Sequence, residues 1–85
     1  MSEAVIVSTA RTPIGKAYRG AFNNTSPITL AGHAIKHAVK RAGIEFSEVE
    51  DVWLGCGFPE GPQGHNMARH ASLWAGIPVS AGAAT

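Results

Sequence analysis

The feature that most constrains this chain is an amphipathic segment with a capping residue at each end. Ser26 and Pro27 supply an N-cap and a residue suited to the first helical position, and Gly43 supplies a left-handed C-cap. Between them, small apolar residues recur at helical spacing: Ala31, Ala34, Ile35, Ala38, Val39 and Ala42. The pattern predicts a helix over residues 27–42 whose alanine-rich face can lie close to a sheet.

Apolar runs on either side of this helix are typical of buried parallel strands. Residues 4–7 and residues 51–56 form runs that are apolar on both faces. A second helix, capped by Asn66 and ended by Gly76, separates them from a third apolar stretch over residues 79–85. The sequence therefore predicts an α/β fold in the order βαβαβ with parallel pairing.

The remaining segments read as connections or packing positions. Residues 8–24 are predicted to form a long loop, and residues 47–50 have the spacing of a capping box and predict one helical turn. Trp53 and Trp74 stand at core spacings, so packing is the expected role of both.

Charge and composition limit the classes of protein. Of the 85 residues, 15% are charged, against about 25% in a typical globular domain, so we expect something else to cover much of the surface. The uncharged run over residues 79–85 reads as an interrupted strand, so residues 1–85 are expected to form no complete domain. A net charge of +1 argues against binding to nucleic acid or to an acidic membrane.

Targeting signals and metal motifs are not recognised in the sequence. No apolar run reaches the roughly 20 residues of a membrane span, and no signal peptide is evident, so we expect a cytoplasmic protein. One cysteine excludes an intrachain disulfide framework and a thiolate zinc site. The histidines do not form an H-E-x-x-H motif, so we expect no metal site; they are His33, His37, His65 and His70.

The glycine-rich segment after residue 54 is a weak match to phosphate-binding loops. Gly55 and Gly57 fit the first two positions of G-x-G-x-x-G, but Glu60 stands at the third and would repel phosphate. The Gly15-Lys16 pair lacks the leading glycine and the following hydroxyl residue of a P-loop. A turn-rich connection is the preferred interpretation.

Cys56 is a candidate nucleophile because it follows a predicted strand, where ligand crevices of parallel sheets lie. A reactive thiol usually needs a helix N-terminus, a cation or a base, and Cys56 stands well before the second helix. A structural cysteine is therefore favoured. For Arg11, Arg19 and Arg69, an ion pair or a loop tether is favoured over a binding role.

Four stretches, in the correct order, resemble the thiolase family and together span essentially the whole chain. They are residues 4–15, residues 49–56, residues 59–69 and residues 75–78. The third is similar to the family segment P-x-G-x-x-Q-G-x-N-x-A-R, with one residue rather than two between Gly61 and Gln63. The residues Pro59-Glu60-Gly61 are more similar to the degradative 3-ketoacyl-CoA thiolases than to the biosynthetic acetoacetyl-CoA type.

The resemblance implies a fold and an activity. The chain would be the amino-terminal part of a thiolase-like layered αβαβα fold, incomplete in itself. Thiolases transfer an acyl group between 3-ketoacyl-CoA and CoA, or condense two acyl-CoA units, through a cysteine nucleophile. That cysteine stands in a motif like Asn-x-x-Cys-Ser-Ser-Gly, expected just beyond Thr85. The resemblance thus implies no catalytic residue within residues 1–85, CoA and acyl-CoA as substrates, and no further cofactor.

Placement by resemblance also yields candidate site residues. The segment after the second strand would lie at the same sheet edge as the nucleophile. Four polar residues there are candidates for bracing the site or for a subunit interface: Gln63, His65, Asn66 and Arg69. The implied partners are the remainder of the thiolase chain and further copies, in a homodimer or homotetramer.

Two other functions remain open from the sequence. One is a free-standing small α/β module for binding or interaction, without catalytic activity. The other is a small metal or nucleotide binder, which the motif spacings disfavour.

Overall fold

The helices begin and end at the residues that the capping pattern predicts. The computed structural model of the chain describes residues 3–15, 20, 25–56 and 66–84. Helix α1 spans Pro27–Ala42, and the Ser26 hydroxyl accepts a hydrogen bond from the Ile28 amide at 3.2 Å. Gly43 ends it with a left-handed φ of 74°. The predicted first helix is confirmed.

Helix α2 spans Met67–Ala75 and is also capped at both ends. The Asn66 side chain accepts from the Arg69 amide at 3.3 Å, and Gly76 has a left-handed φ of 100°. Both confirm the predicted second helix. The helical turn predicted over residues 47–50 is a short 3₁₀ helix over Phe46–Glu48.

Two short parallel strands flank α2 in the chain. Strand β1 is Asp51–Trp53 and strand β2 is Gly82–Ala84, with Val52 opposite Ala83 in the register. The unit β1–α2–β2 confirms the predicted parallel pairing. Strand β1 is shorter than the predicted 51–56, and the Leu54 amide beyond it still bonds to the Ala84 carbonyl at 2.9 Å.

The predicted first strand is not formed in this structure. Residues 4–7 pair with no strand in the part of the chain that the structure describes, and Ile6 is 87% exposed. A strand requires a neighbouring edge to bond to, and β-branched residues alone do not supply one. In the residues that the structure describes, the order is therefore α1, 3₁₀ helix, β1, α2 and β2, which contains the αβαβ part of the predicted βαβαβ order.

The core of the described residues forms around α2, which contacts α1 and both strands. The buried residues of this core are mostly small: Met67, Ala68, Ala71, Ser72, Ala75, Ile77 and Ala81. Helix α1 packs mainly on α2, whereas its alanine face was expected to lie on the sheet. Gly32 is its one buried residue and lies against Trp74.

Of the two tryptophans expected to pack, Trp74 lies against Gly32 of α1, whereas the expectation is wrong for Trp53. Trp53 is 80% exposed and Trp74 is 49% exposed. Along β1, Asp51 and Trp53 are exposed and Val52 between them is half-buried, so one face of the strand is covered. The Trp53 indole donates to the Asp51 carboxylate at 2.6 Å, which satisfies its polar atom outside the core.

Candidate functional site

Two polar side chains at the start of α2 donate hydrogen bonds to backbone carbonyls of β2 and of the residue before it. The Asn66 amide nitrogen donates to the Ala83 carbonyl at 3.2 Å, and the Arg69 Nη2 donates to the Ala81 carbonyl. Arg69 lies three residues after Asn66 in the chain, whereas its partner Ala81 lies two residues before Ala83, the partner of Asn66. The helix therefore runs antiparallel to the strand, and its first turn lies beside the strand's carboxyl end.

These contacts are made on the edge of β2 that faces away from β1. The Gly82 amide donates to the Glu50 carbonyl, and the Ala84 carbonyl accepts from the Leu54 amide, each at 2.9 Å. Backbone groups of alternate residues point to opposite edges of a strand, so the carbonyls of residues 81 and 83 face the outer edge. Strand β2 is consequently held from both sides, by β1 and by the start of α2.

Arg69 is the part-buried cation at this site. Its Nη1 atom is buried and has no hydrogen-bond partner among the described residues. Its backbone carbonyl accepts from the hydroxyl of the fully buried Ser72 at 3.0 Å, which fixes the turn that carries it. Since a buried charged donor is costly to leave unpaired, Nη1 marks a place for an oxygen acceptor.

Of the four candidate site residues, the structure brings together Asn66 and Arg69. Gln63 and His65 lie outside the described residues, as do Gly57 and Glu60 of the glycine-rich segment and Arg19. The bracing role of the group stays a prediction. The tether interpretation of Arg69 fits its bond to the Ala81 carbonyl.

Cys56 is half-buried and lies three residues beyond β1. It precedes Met67, the first residue of α2, by eleven positions, so it does not stand at a helix N-terminus that would activate a thiol. In this position it fits the structural role that the sequence favoured.

Sequence reasoning missed one contact at the carboxyl end of α1. Arg41 Nη1 donates to the Thr9 carbonyl at 3.1 Å. Arg41 and residues 9–14 line an open cleft of about 790 Å³. Arg11 is exposed there. No local signal could have found this contact, since the partners are 32 residues apart.

The two histidines of α1, His33 and His37, lie close together. The rings of His33 and His37 lie 4.3 Å apart. Desolvation lowers the pKa of His37 below its ordinary value, and the positive charges of His33, Lys40, Arg41 and Lys36 lower it further. No group of three or more His, Cys, Asp or Glu side chains in the described part of the chain is arranged to hold a metal ion.

Comparison with known proteins identifies the family. The family described as "Thiolase, N-terminal domain" matches residues 4–85, and the chain belongs to the thiolase family. Its curated relatives include enzymes named 3-ketoacyl-CoA thiolase. The protein from Bacillus subtilis is 45% identical over 85 residues, that from Shewanella frigidimarina 43% over 86, and that from Aeromonas hydrophila 41% over 86.

Each of these alignments covers 100% of this chain and 22% of the relative, so the chain spans about a fifth of their length. The resemblance drawn from the motifs is confirmed, and an α/β thiolase amino-terminal domain agrees with the parallel β1–α2–β2 unit. Within the described residues, neither helix has the length and apolar character needed to cross a membrane.

Proposed function

We propose that this chain is the amino-terminal part of a thiolase that transfers acyl groups between 3-ketoacyl-CoA and CoA. The observation that carries the proposal is the family match over residues 4–85, together with relatives named 3-ketoacyl-CoA thiolase. CoA and acyl-CoA are then substrates, and no further cofactor is required. The complete protein is proposed to be a cytoplasmic homodimer or homotetramer.

The proposed chemistry uses a cysteine outside residues 1–85. Its thiolate adds to the 3-keto carbon, the bond between C2 and C3 breaks, and acetyl-CoA leaves after its C2 takes a proton. The acyl group, held as a thioester on the cysteine, is then transferred to the thiol of a second CoA. No residue of this chain has a catalytic role, and Cys56 is structural.

The contribution of this chain is proposed to be architectural. In the complete αβαβα fold, the exposed apolar run over residues 4–7 pairs as a further strand, which restores the βαβαβ order. This is supported by the exposure of Val5, Ile6 and Val7, each at 70% or more, because such a run is stable only when covered.

Four polar residues are proposed to brace the site or to lie at a subunit interface: Gln63, His65, Asn66 and Arg69. Support comes from the two hydrogen bonds that Asn66 and Arg69 make to the carbonyls of residues 83 and 81. The segment that follows β2 is where the resemblance expects the nucleophile, so these contacts lie next to it in the chain.

Acyl labelling of the complete protein tests the proposed function. The protein is incubated with a radiolabelled 3-ketoacyl-CoA, quenched and digested, and the labelled peptide is identified by mass spectrometry. We expect CoA-dependent cleavage of the substrate and a labelled cysteine downstream of residue 85. A labelled peptide containing Cys56, or absence of cleavage, would contradict the proposal.

The coding sequence after Thr85 is the simplest preliminary check, since a stop codon there would favour a free-standing module.

A further inference from the structure

We propose that Arg69 is a positioning residue that bridges β2 to a second oxygen acceptor and so fixes the direction of the chain after Ala84. The inference rests on the proposed function, because it is the nucleophile that would follow β2. It adds a specific mechanism, in which the two Nη atoms of one guanidinium donate hydrogen bonds to acceptors on two different elements.

One arm of the bridge is visible. Arg69 Nη2 donates to the Ala81 carbonyl, on the edge of the strand segment that β1 does not use. Asn66 makes the parallel contact to the Ala83 carbonyl at 3.2 Å. The strand is therefore fixed at two alternate residues by one helical turn, and a shift of that turn is transmitted directly to β2.

The second arm is inferred from Nη1. This atom is buried and has no partner within the described residues, although a guanidinium stays charged and presents its donors as a rigid fork. A carbonyl or carboxylate oxygen in the complete protein is the chemistry that satisfies it. Arg69 then joins β2 to a second element, rather than merely to its own helix.

Strand direction matters because acyl transfer requires close alignment of the reacting atoms. A displacement of the reacting group by about 1 Å lowers a rate roughly 100-fold. Loosening β2 should therefore slow acylation of the nucleophile, while the binding of the substrate elsewhere in the enzyme changes little.

The experiment compares Arg69→Lys with Arg69→Met in the complete enzyme. Lysine keeps the charge and can replace one contact but not a rigid fork, and methionine keeps the apolar stem alone. Bridging predicts that both variants lower kcat to a similar extent, by about 10- to 100-fold, with KM within about threefold of the wild type. The matched control is His70→Ala, an exposed neighbour on α2, which should keep the wild-type kcat.

Hydrogen exchange of the peptide containing residues 79–84 gives a readout independent of turnover. Both Arg69 variants should exchange faster there than the wild type and the His70 variant. Asn66→Ala should show a smaller loss of kcat, and its effect should not add to that of Arg69→Met, because both residues hold one strand.

The outcomes decide between bridging and simpler roles. Near wild-type kcat in Arg69→Lys would overturn the bridge, since one contact would suffice. Wild-type kcat with only a lower melting temperature in Arg69→Met would reduce Arg69 to a structural tether. If Arg69→Met does not fold, the kcat and the hydrogen exchange of Arg69→Lys decide alone. An inactive wild-type enzyme would contradict the proposed function, whereas an active wild type with active Arg69 variants would contradict this inference only.

Discussion

Gly32 on α1 lies so close to Trp74 on α2 that a side chain cannot be added at position 32 without movement. A Cβ atom placed there would lie 2.5 Å from the Trp74 Cε3 atom and 3.2 Å from the Ala71 carbonyl oxygen. Contacts below 3.0 Å essentially do not occur for real Cβ atoms. The two helices therefore approach each other where α1 has no side chain.

Gly32→Ala should destabilise the complete protein. Overpacking typically costs about 1–3 kcal/mol, and the better helix propensity of alanine returns at most about 1 kcal/mol. We expect a net loss of about 1 kcal/mol, seen as a lower melting temperature. The control is Gly32→Ala combined with Trp74→Leu, in which the clash is removed and the propensity gain remains. Unchanged or higher stability of the single variant would show that Trp74 moves aside freely.

Cys56→Ala should leave thiolysis intact in the complete enzyme. The half-buried thiol lies beyond β1 and away from any helix start, so its removal affects packing alone, by about 1–2 kcal/mol. Steady-state kinetics and a thermal melt measure the two effects separately, with Cys56→Ser as the polar comparison. Loss of turnover in a folded Cys56→Ala enzyme would make Cys56 the nucleophile.

His37 should become protonated at a lower pH than an ordinary histidine. Its pKa is lowered by desolvation first and then by the charges of His33, Lys40, Arg41 and Lys36. Protonation thus favours the unfolded chain, where the pKa is about 6.5. The free energy of unfolding should decrease as the pH falls from about 6.5 to the folded pKa, and then level off.

The rate at which diethyl pyrocarbonate modifies His37, followed by peptide mass spectrometry, reports this pKa because only the neutral ring reacts. Lys40→Gln should raise the pKa, and Lys40→Arg, which keeps the charge, should not. Salt at about 1 M should also raise it by screening the charges, although the part due to desolvation remains. If the modification rate of His37 depends on pH in the same way in the wild type, Lys40→Gln and Lys40→Arg, the charge effect is excluded.

The 85-residue chain should not fold stably by itself. In the described part of the chain the sheet has two strands of three residues each, and several large apolar side chains are exposed. They include Val5, Ile6, Val7, Ile14, Trp53 and Val79. Circular dichroism and size-exclusion chromatography should show aggregation or a broad, non-cooperative melt. A monodisperse monomer with a sharp transition would contradict this prediction.

The helix boundaries could be predicted because capping is a local interaction. Ser26 bonds to an amide two residues away, and Gly43 and Gly76 adopt the left-handed conformation that glycine tolerates best. Strand formation depends on distant partners instead. The apolar pattern of residues 4–7 is as strand-like as that of β1, yet β1 has β2 beside it in this structure.

The candidate site could be predicted only in part for the same reason. Asn66 was recognisable as a helix cap, and it does accept from the Arg69 amide. Its second contact, to Ala83, joins residues 17 positions apart, and that of Arg69 to Ala81 spans 12. Nothing in an alanine-rich stretch indicates which carbonyls a neighbouring helix will bind. The family resemblance selected these residues, and the geometry supplied their partners.

The small side chains inside α2 have a consequence for how this part of the family can change over time. Ala68, Ala71 and Ala75 are at most 3% exposed, and alanine has no rotamers to exchange. An added methyl group at any of them overpacks the core, and neighbouring side chains or the helix itself must shift to admit it, at a typical cost of about 1–3 kcal/mol. Because the same helix holds β2, such a shift would also move the chain that leaves the strand. Sequence drift should therefore be slow on this face of α2 and fast at exposed positions such as His70 and Leu73.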